Sequence, residues 1–194
     1  WIKRDPALPN PVIIVPGMTG SKLNGDSGEM WPNIPFMILS FDDLYLDDIA
    51  LETDGIDKNS ILAPSVIRKL GDKDFFESLF SFLELNGYID NQDLFEFPYD
   101  WRLDISFVAN DLVENQSLSL REKIEQVKLQ TGASKVNLIA HSMGGLIVKE
   151  YLREFEGESI EKFIDVGTPH HGAPKAFKIL NYGDNFNTNF LFGL

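Results

Sequence analysis

The sequence predicts an α/β fold in which a mostly parallel sheet is covered by helices on both faces. Three observations carry that expectation. Short apolar runs at residues 11–15, 94–99, 136–140 and 160–166 have the length and composition of buried strands. An amphipathic helical pattern lies between each consecutive pair, and such alternation builds a parallel sheet. The 194 residues contain no internal repeat, low-complexity tract or linker, which is the size and texture of one domain.

In chain order, residues 11–15 (Pro-Val-Ile-Ile-Val) form the first strand, and Pro16-Gly17-Met18-Thr19-Gly20 is a turn directly after it. Residues 21–64 are less regular. Large apolar groups such as Trp31, Phe36, Leu39, Phe41 and Leu44 are interleaved there with Asp42, Asp43, Asp47 and Asp48. A connection this long is usually functional or disordered, and it is too rich in large apolar groups for disorder. It is expected to be a lid-like insertion over an apolar cleft. Residues 72–86 read as a helix with Phe75, Phe76, Leu79, Phe80 and Leu83 on one stripe, Asp72 or Asp74 capping its start and Gly87 closing it. After the strand at 94–99, residues 111–130 read as a helix with Val113, Leu120, Ile124 and Val127 inward and Gly132 at its end.

The most informative stretch is Val136 to Glu150. An apolar strand ends abruptly in Ala140-His141-Ser142-Met143-Gly144-Gly145, and a helix follows with Ile147, Val148, Tyr151, Leu152 and Phe155 on one face. Strand, sharp turn with Ser at the apex, then helix is the context of a nucleophile elbow. The pattern usually begins with Gly; here the position is Ala140, still small. At such a turn the hydroxyl stands at the start of a helix, where free N–H groups and the positive end of the helix dipole face a developing oxyanion. One oxyanion donor then comes from the residue after the nucleophile and one from the loop after the first strand, which nominates the backbone N–H groups of Met143 and Met18. The last strand, 160–166, runs into Gly167-Thr168-Pro169-His170-His171-Gly172-Ala173-Pro174.

Composition sets the exclusions. The formal charge of −13 argues against nucleic acid and against electrostatic docking on anionic membranes. With no Cys, disulfides, zinc-thiolate sites and Cys nucleophiles are excluded. No apolar run is long enough to span a membrane, and no signal peptide is visible. No cofactor or metal is called for. Compartment and oligomeric state are left unassigned.

The blocks Pro16-Gly17-Met18-Thr19-Gly20-Ser21, Pro98-Tyr99-Asp100-Trp101-Arg102, Ala140 to Gly145, and Gly167-Thr168-Pro169 through Gly172-Ala173-Pro174 occur in that order. Together they resemble the lecithin:cholesterol acyltransferase family of α/β-hydrolases, which includes phospholipid:diacylglycerol acyltransferases and lysosomal phospholipase A2. The resemblance covers about residues 11–175. It implies an α/β-hydrolase fold and acyl transfer: Ser142 attacks a lipid ester, forms an acyl-enzyme and passes the acyl group to water or an alcohol. It implies a lipid or lipophilic ester substrate, with transient contact at a lipid surface. By matching motif, Met18 and Met143 supply the oxyanion N–H groups. The family's lid segment corresponds to residues 31–51, without the disulfide that often staples it. Trp101 and Arg102 match family positions without an assigned role, and Arg102 is expected to pair with a nearby Asp.

A Ser nucleophile needs a general base, and in this fold the order is Ser, then Asp or Glu, then His, each at a later strand end. Of the three His, His141 is expected to point away from the cleft, and His170 and His171 follow the next strand too closely. Asp165 with His170 is a weak candidate triad pair, because the His is on the wrong loop. Adjacent His170 and His171 point apart in extended backbone and are poor joint metal ligands. The triad acid and His are therefore not found. Residues 1–194 are expected to be a partial hydrolase domain whose C-terminal strands are missing, with little turnover alone. Two alternatives stay open: a general carboxylesterase or triacylglycerol lipase, and a non-catalytic binding module on the same fold.

Overall fold

The computed structural model describes residues 9–26, 28–33, 47, 49–51, 61–110 and 118–182. In chain order its elements are β1 (Val12–Val15), β2 (Leu23–Gly25), β3 (Gly28–Trp31), β4 (Lys69–Leu70), β5 (Lys73–Asp74), α1 (Glu77–Leu85), β6 (Leu94–Glu96), α2 (Ile105–Asn110), α3 (Leu120–Thr131), β7 (Val136–His141), α4 (Met143–Phe155), β8 (Ile160–Val166) and α5 (Pro174–Tyr182).

The central sheet has the order β6–β1–β7–β8, and every pairing in it is parallel. It is the sheet of an α/β-hydrolase, flanked by helices. All four residues of β1 are buried, and their alternation divides the core. Ile13 and Val15 face a cluster with Val108 of α2, Ile124 of α3 and Ile147 of α4. Val12 and Ile14 face the opposite way, onto Val66 and onto Phe80 and Leu83 of α1. Each such side chain removed from water contributes about 1.5–3 kcal/mol. A third cluster gathers Leu23, Trp31, Ile49, Ile61, Ala63 and Ile67 beneath the β2–β3 hairpin.

The strand order places a functional crevice before any side chain is considered. From β1 the chain goes to β6 on one side, then crosses back over β1 to β7 and continues to β8 on the other side. The connections leave β1 and β7 in opposite directions, so a crevice opens between their carboxyl ends. Both the turn at residues 16–20 and Ser142 lie at those ends.

Three expected elements differ in extent. The helix expected at 72–86 begins at Glu77, because residues 69–74 form the β4–β5 hairpin around Gly71 at φ 57°. Asp72 lies in that hairpin turn; the N-cap position is Phe76, without a side-chain cap, and the Asp74 carboxylate two residues before it accepts the Ser78 N–H at 3.0 Å. The helix expected at 111–130 begins, in its described part, at Leu120. Ser119 accepts the Glu122 N–H and the Glu122 carboxylate accepts the Ser119 N–H, a capping box that sets this start. Asp111 and Val113 lie outside the described residues. Gly132 does close α3, at φ 69°. The strand expected at 94–99 pairs only to Glu96, and the Phe97 N–H still donates to the Ile14 carbonyl.

Within residues 21–64, where a lid-like insertion is expected, Trp31, Pro32, Ile49 and the β2–β3 hairpin are described. Phe36, Leu39, Phe41, Leu44, Asp42, Asp43 and Asp48 lie outside the described residues. Among the described residues no helix is long and apolar enough to cross a membrane.

Candidate active site

The corner after β7 is sharp. Ser142 stands between β7 and α4 with φ 53° and ψ −123°, a conformation that costs a non-Gly residue about 1–3 kcal/mol. Two backbone bonds hold it. The Ser142 N–H donates to the Val166 carbonyl of β8 at 2.9 Å, and the Gly145 N–H donates to the Ser142 carbonyl at 3.0 Å. The small residues are required by close approach. A Cβ on Gly144 would lie 2.4 Å from the Pro16 carbonyl oxygen and 2.6 Å from that of Val15. A Cβ on Gly145 would lie 1.9 Å from Thr168 Oγ1. Ala140 is fully buried against the α4 side of the sheet, where its methyl fits.

The turn after β1 lies against this corner. A Cβ on Gly17 would come within 2.9 Å of Ser142 Cβ. The turn closes through the Gly20 N–H to the Gly17 carbonyl at 3.0 Å, with Thr19 at φ 63° in its third position, as a type II turn requires. Met18 is its second residue, 58% exposed. Met143 is the first residue of α4, so its N–H has no intrahelical acceptor. The structure thus brings Ser142, Met143 and the Met18 loop to one crevice.

Side chains from elsewhere hold that turn. The Tyr99 hydroxyl donates to the Pro16 carbonyl at 2.8 Å, and the Tyr99 N–H donates to Ser21 Oγ at 3.1 Å. Burial pushes the Tyr99 phenol far above its ordinary pKa, so it stays a donor. Trp31 Nε1 donates to the Thr19 carbonyl at 3.0 Å, and Trp101 Nε1 to the Ser21 carbonyl at 3.2 Å. Arg102 pairs with Asp100, both nearly fully buried, and its Nη1 donates to the Ile49 carbonyl at 3.0 Å. The Pro-Tyr-Asp-Trp-Arg block therefore has a physical task that the residues alone did not disclose: it buttresses the loop at the crevice.

An apolar cavity of about 360 Å³ opens beside the corner. Met18, Trp31, Phe75, Phe76, Leu79 and Ile139 contribute to its wall. His141 lines it too, edge-on to Phe76 with ring centroids 6.1 Å apart. This corrects the expectation that His141 points away from the cleft. β7 stays extended through His141, so the ring falls on the same face as Ile139, two residues before.

The other histidines stand elsewhere. In the register of β7 and β8, Val166 pairs with His141 on the cavity face, and Asp165 pairs with Ala140 on the α4 face. Asp165 lies against Gly145 and hydrogen-bonds His170. The Thr168 hydroxyl and His170 hold its carboxyl below the usual carboxylate range. The Asp165–His170 pair thus sits on the far side of the sheet from the cavity. His171 is exposed. Among the described residues no three His, Asp or Glu gather as metal ligands.

Comparison with known proteins gives the family and the fold. A family model described as lecithin:cholesterol acyltransferase matches residues 48–193. The chain is 31% identical to lecithin-cholesterol acyltransferase-like 4 of Arabidopsis thaliana, over 88% of the chain and 36% of that protein. It is 27% identical to the lysosomal phospholipase A and acyltransferase of Canis lupus familiaris, over 93% of the chain and 53% of that protein. Among solved structures, the mature lipase BlEst2 of Bacillus licheniformis shares the fold, with a TM-score of 0.52 and 18% identity, over all of the chain and 54% of that structure. The chain thus spans between about a third and about a half of the length of these relatives.

Proposed function

The chain belongs to the lecithin:cholesterol acyltransferase family, and from that premise we propose that Ser142 is the nucleophile of a lipid acyl transfer carried out by the full-length protein. The observation that carries the reading is the strained corner of Ser142 packed directly against the turn at Gly17, beside an apolar cavity.

In this reading the Ser142 oxygen attacks the ester carbonyl carbon of a lipid. The carbonyl oxygen becomes an oxyanion, met by the N–H groups of Met18 and Met143. Preorganised donors of this kind stabilise the transition state because they need no reorientation as charge develops. The intermediate collapses, the C–O bond to the alcohol breaks, and the acyl group stays on Ser142. Water or an alcohol then attacks the acyl-enzyme and regenerates the hydroxyl. The Ser142 proton needs a base. His141 adjoins an apolar wall, and the Asp165–His170 pair lies across the sheet, so the reading assigns acid and base to residues outside this chain. Residues 1–194 are accordingly read as part of one hydrolase domain, with residues 21–64 as its lid-like insertion. The cavity volume and apolar wall support a lipophilic ester as substrate.

The test is fluorophosphonate treatment of the full-length protein, with the adduct mapped by mass spectrometry. It is expected on Ser142, and Ser142→Ala is expected to lower ester turnover on the order of 10⁶-fold. An adduct elsewhere, or turnover retained by Ser142→Ala, would overturn the assignment. Product analysis on phospholipid vesicles with a long-chain alcohol separates transfer from hydrolysis. An ester of that alcohol marks a transferase, and free fatty acid alone marks a phospholipase or a general esterase.

A further inference from the structure

An oxyanion donor works only if its N–H points at the oxyanion, and the flexible Gly17–Gly20 segment does not fix that direction by itself. Resting on the reading of Ser142 as nucleophile, we infer that Trp31 is the positioning residue that aims the Met18 N–H, acting through two peptide planes of the turn.

The argument follows from peptide planarity. In a trans peptide the carbonyl and the next N–H lie in one rigid plane and point in opposite directions. The Thr19 carbonyl accepts the indole N–H of Trp31 at 3.0 Å. The Gly20 N–H, on the same plane, must point the other way, and there it donates to the Gly17 carbonyl at 3.0 Å. With the Gly17 carbonyl held, the Met18 N–H of that second plane is turned outward from the turn. Gly17 itself abuts Ser142. One side-chain hydrogen bond therefore orients two peptide planes in series, and the second carries the proposed oxyanion donor.

The turn needs such an anchor. Thr19 is β-branched and sits at φ 63°, where such a residue is an outlier and costs about 1–3 kcal/mol. Strain of that size persists only when groups outside the turn over-determine it. Trp31 is placed to do this. It is 7% exposed and meets the Trp101 ring edge-on, with centroids 5.4 Å apart, while Trp101 Nε1 holds the Ser21 carbonyl at the far end of the loop. Trp31 arrives from β3, outside the residues of the turn, so loosening the indole releases the amide without touching the Ser142 corner.

The experiment uses the full-length protein, a p-nitrophenyl ester too short to fill the cavity, and a trifluoromethyl ketone that forms a hemiketal oxyanion on Ser142. Trp31→Phe keeps an aromatic ring and removes the N–H. Loss of one oxyanion donor outright costs about 10²–10³-fold in kcat, so a misaimed donor is expected to cost roughly 10- to 100-fold. KM for the short ester is expected to stay within about twofold, and ketone affinity to fall by the same factor as kcat. Where Trp31→Phe does not fold, site-specific 3-benzothienylalanine at position 31 keeps the ring shape and lacks the N–H, with the same expectation. Unchanged kcat and ketone affinity in a folded variant with labelled Ser142 would overturn the role of Trp31 alone. Failure of the unsubstituted protein to label at Ser142 would overturn the nucleophile reading and this inference together.

Discussion

The two loops that meet at the crevice are held by opposite means. The corner at Ser142 is fixed by its own neighbours: the Gly145 N–H three residues on, the adjacent strand through the Val166 carbonyl, and glycines whose missing Cβ atoms admit the chain. The turn at Met18 is fixed from afar. Its carbonyls are held by Trp31, 12 residues from Thr19, by Tyr99, 83 residues from Pro16, and by Trp101, 80 residues from Ser21. At the corner a side chain is held in strain by the backbone. At the turn the backbone is held in strain by side chains. The difference teaches that the geometry of the corner is encoded mostly in local residues, and the geometry of the turn is spread over the chain.

The largest effect expected from that contrast is at Arg102, in the block that also carries Tyr99 and Trp101. Its Nε donates to Asp100 Oδ1 at 2.9 Å, the two side chains are 5% and 2% exposed, and its Nη1 holds the Ile49 carbonyl. Arg102→Met strands the Asp100 carboxylate in the interior, and breaking a buried pair in this way costs about 3–5 kcal/mol. Arg102→Lys restores the charge without the planar fork and recovers only part of the loss. Urea midpoints of the full-length protein measure both. A loss below about 1 kcal/mol for Arg102→Met would mean that the distant anchors are dispensable, and the contrast would break.

The same contrast explains what was legible in the sequence. The four sheet strands follow from runs of apolar residues, and the corner follows from Ala140 to Gly145, because both are local patterns. The β4–β5 hairpin is not legible because Lys69, Leu70, Lys73 and Asp74 carry no strand signature, and the helix expected at 72–86 takes in Lys73 and Asp74. The Ser119–Glu122 capping box is a local signal for the start of α3, and the apolar periodicity that runs back to Val113 masks it. The side of His141 depends on β7 extending one residue beyond its apolar run, which ends at Ala140. The tasks of Tyr99, Trp31 and Trp101 could not be read from spacing at all. A hydrogen bond spanning 83 residues leaves no periodicity, only the peculiarity of a Pro-Tyr-Asp-Trp-Arg block without an evident role.

A smaller effect sharpens the contrast by removing a single oxygen. Tyr99→Phe keeps the ring, which stacks on Phe97 with centroids 5.7 Å apart, and deletes the donor to the Pro16 carbonyl. An acceptor left unsatisfied in the interior costs about 1–3 kcal/mol. The loss is expected in the urea midpoint, with the slope of the unfolding curve unchanged, because the surface exposed on unfolding is nearly the same. Tyr99 holds the plane before Gly17 and not the plane that carries the Met18 N–H. Its deletion is therefore expected to reduce kcat less than Trp31→Phe does. A larger kcat loss for Tyr99→Phe would transfer the positioning role from Trp31 to Tyr99.

The smallest effect has the opposite sign, and it tests the corner. Ser142 carries a Cβ at φ 53° and ψ −123°, where Gly rests without penalty. Ser142→Gly relieves about 1–3 kcal/mol of strain, and it adds about 0.5–1 kcal/mol of chain entropy to the unfolded state. The half-buried hydroxyl contributes little packing, so the net expectation is a gain in stability of about 1 kcal/mol, together with complete loss of fluorophosphonate labelling. An oxygen removed at Tyr99 weakens the protein; the side chain removed at Ser142 strengthens it. If Ser142→Gly were instead destabilising by 1 kcal/mol or more on the scale of about 1–3 kcal/mol set for such strain, the corner would be held by the serine and not imposed on it. The strain would then offer no argument that this hydroxyl is kept in place for chemistry.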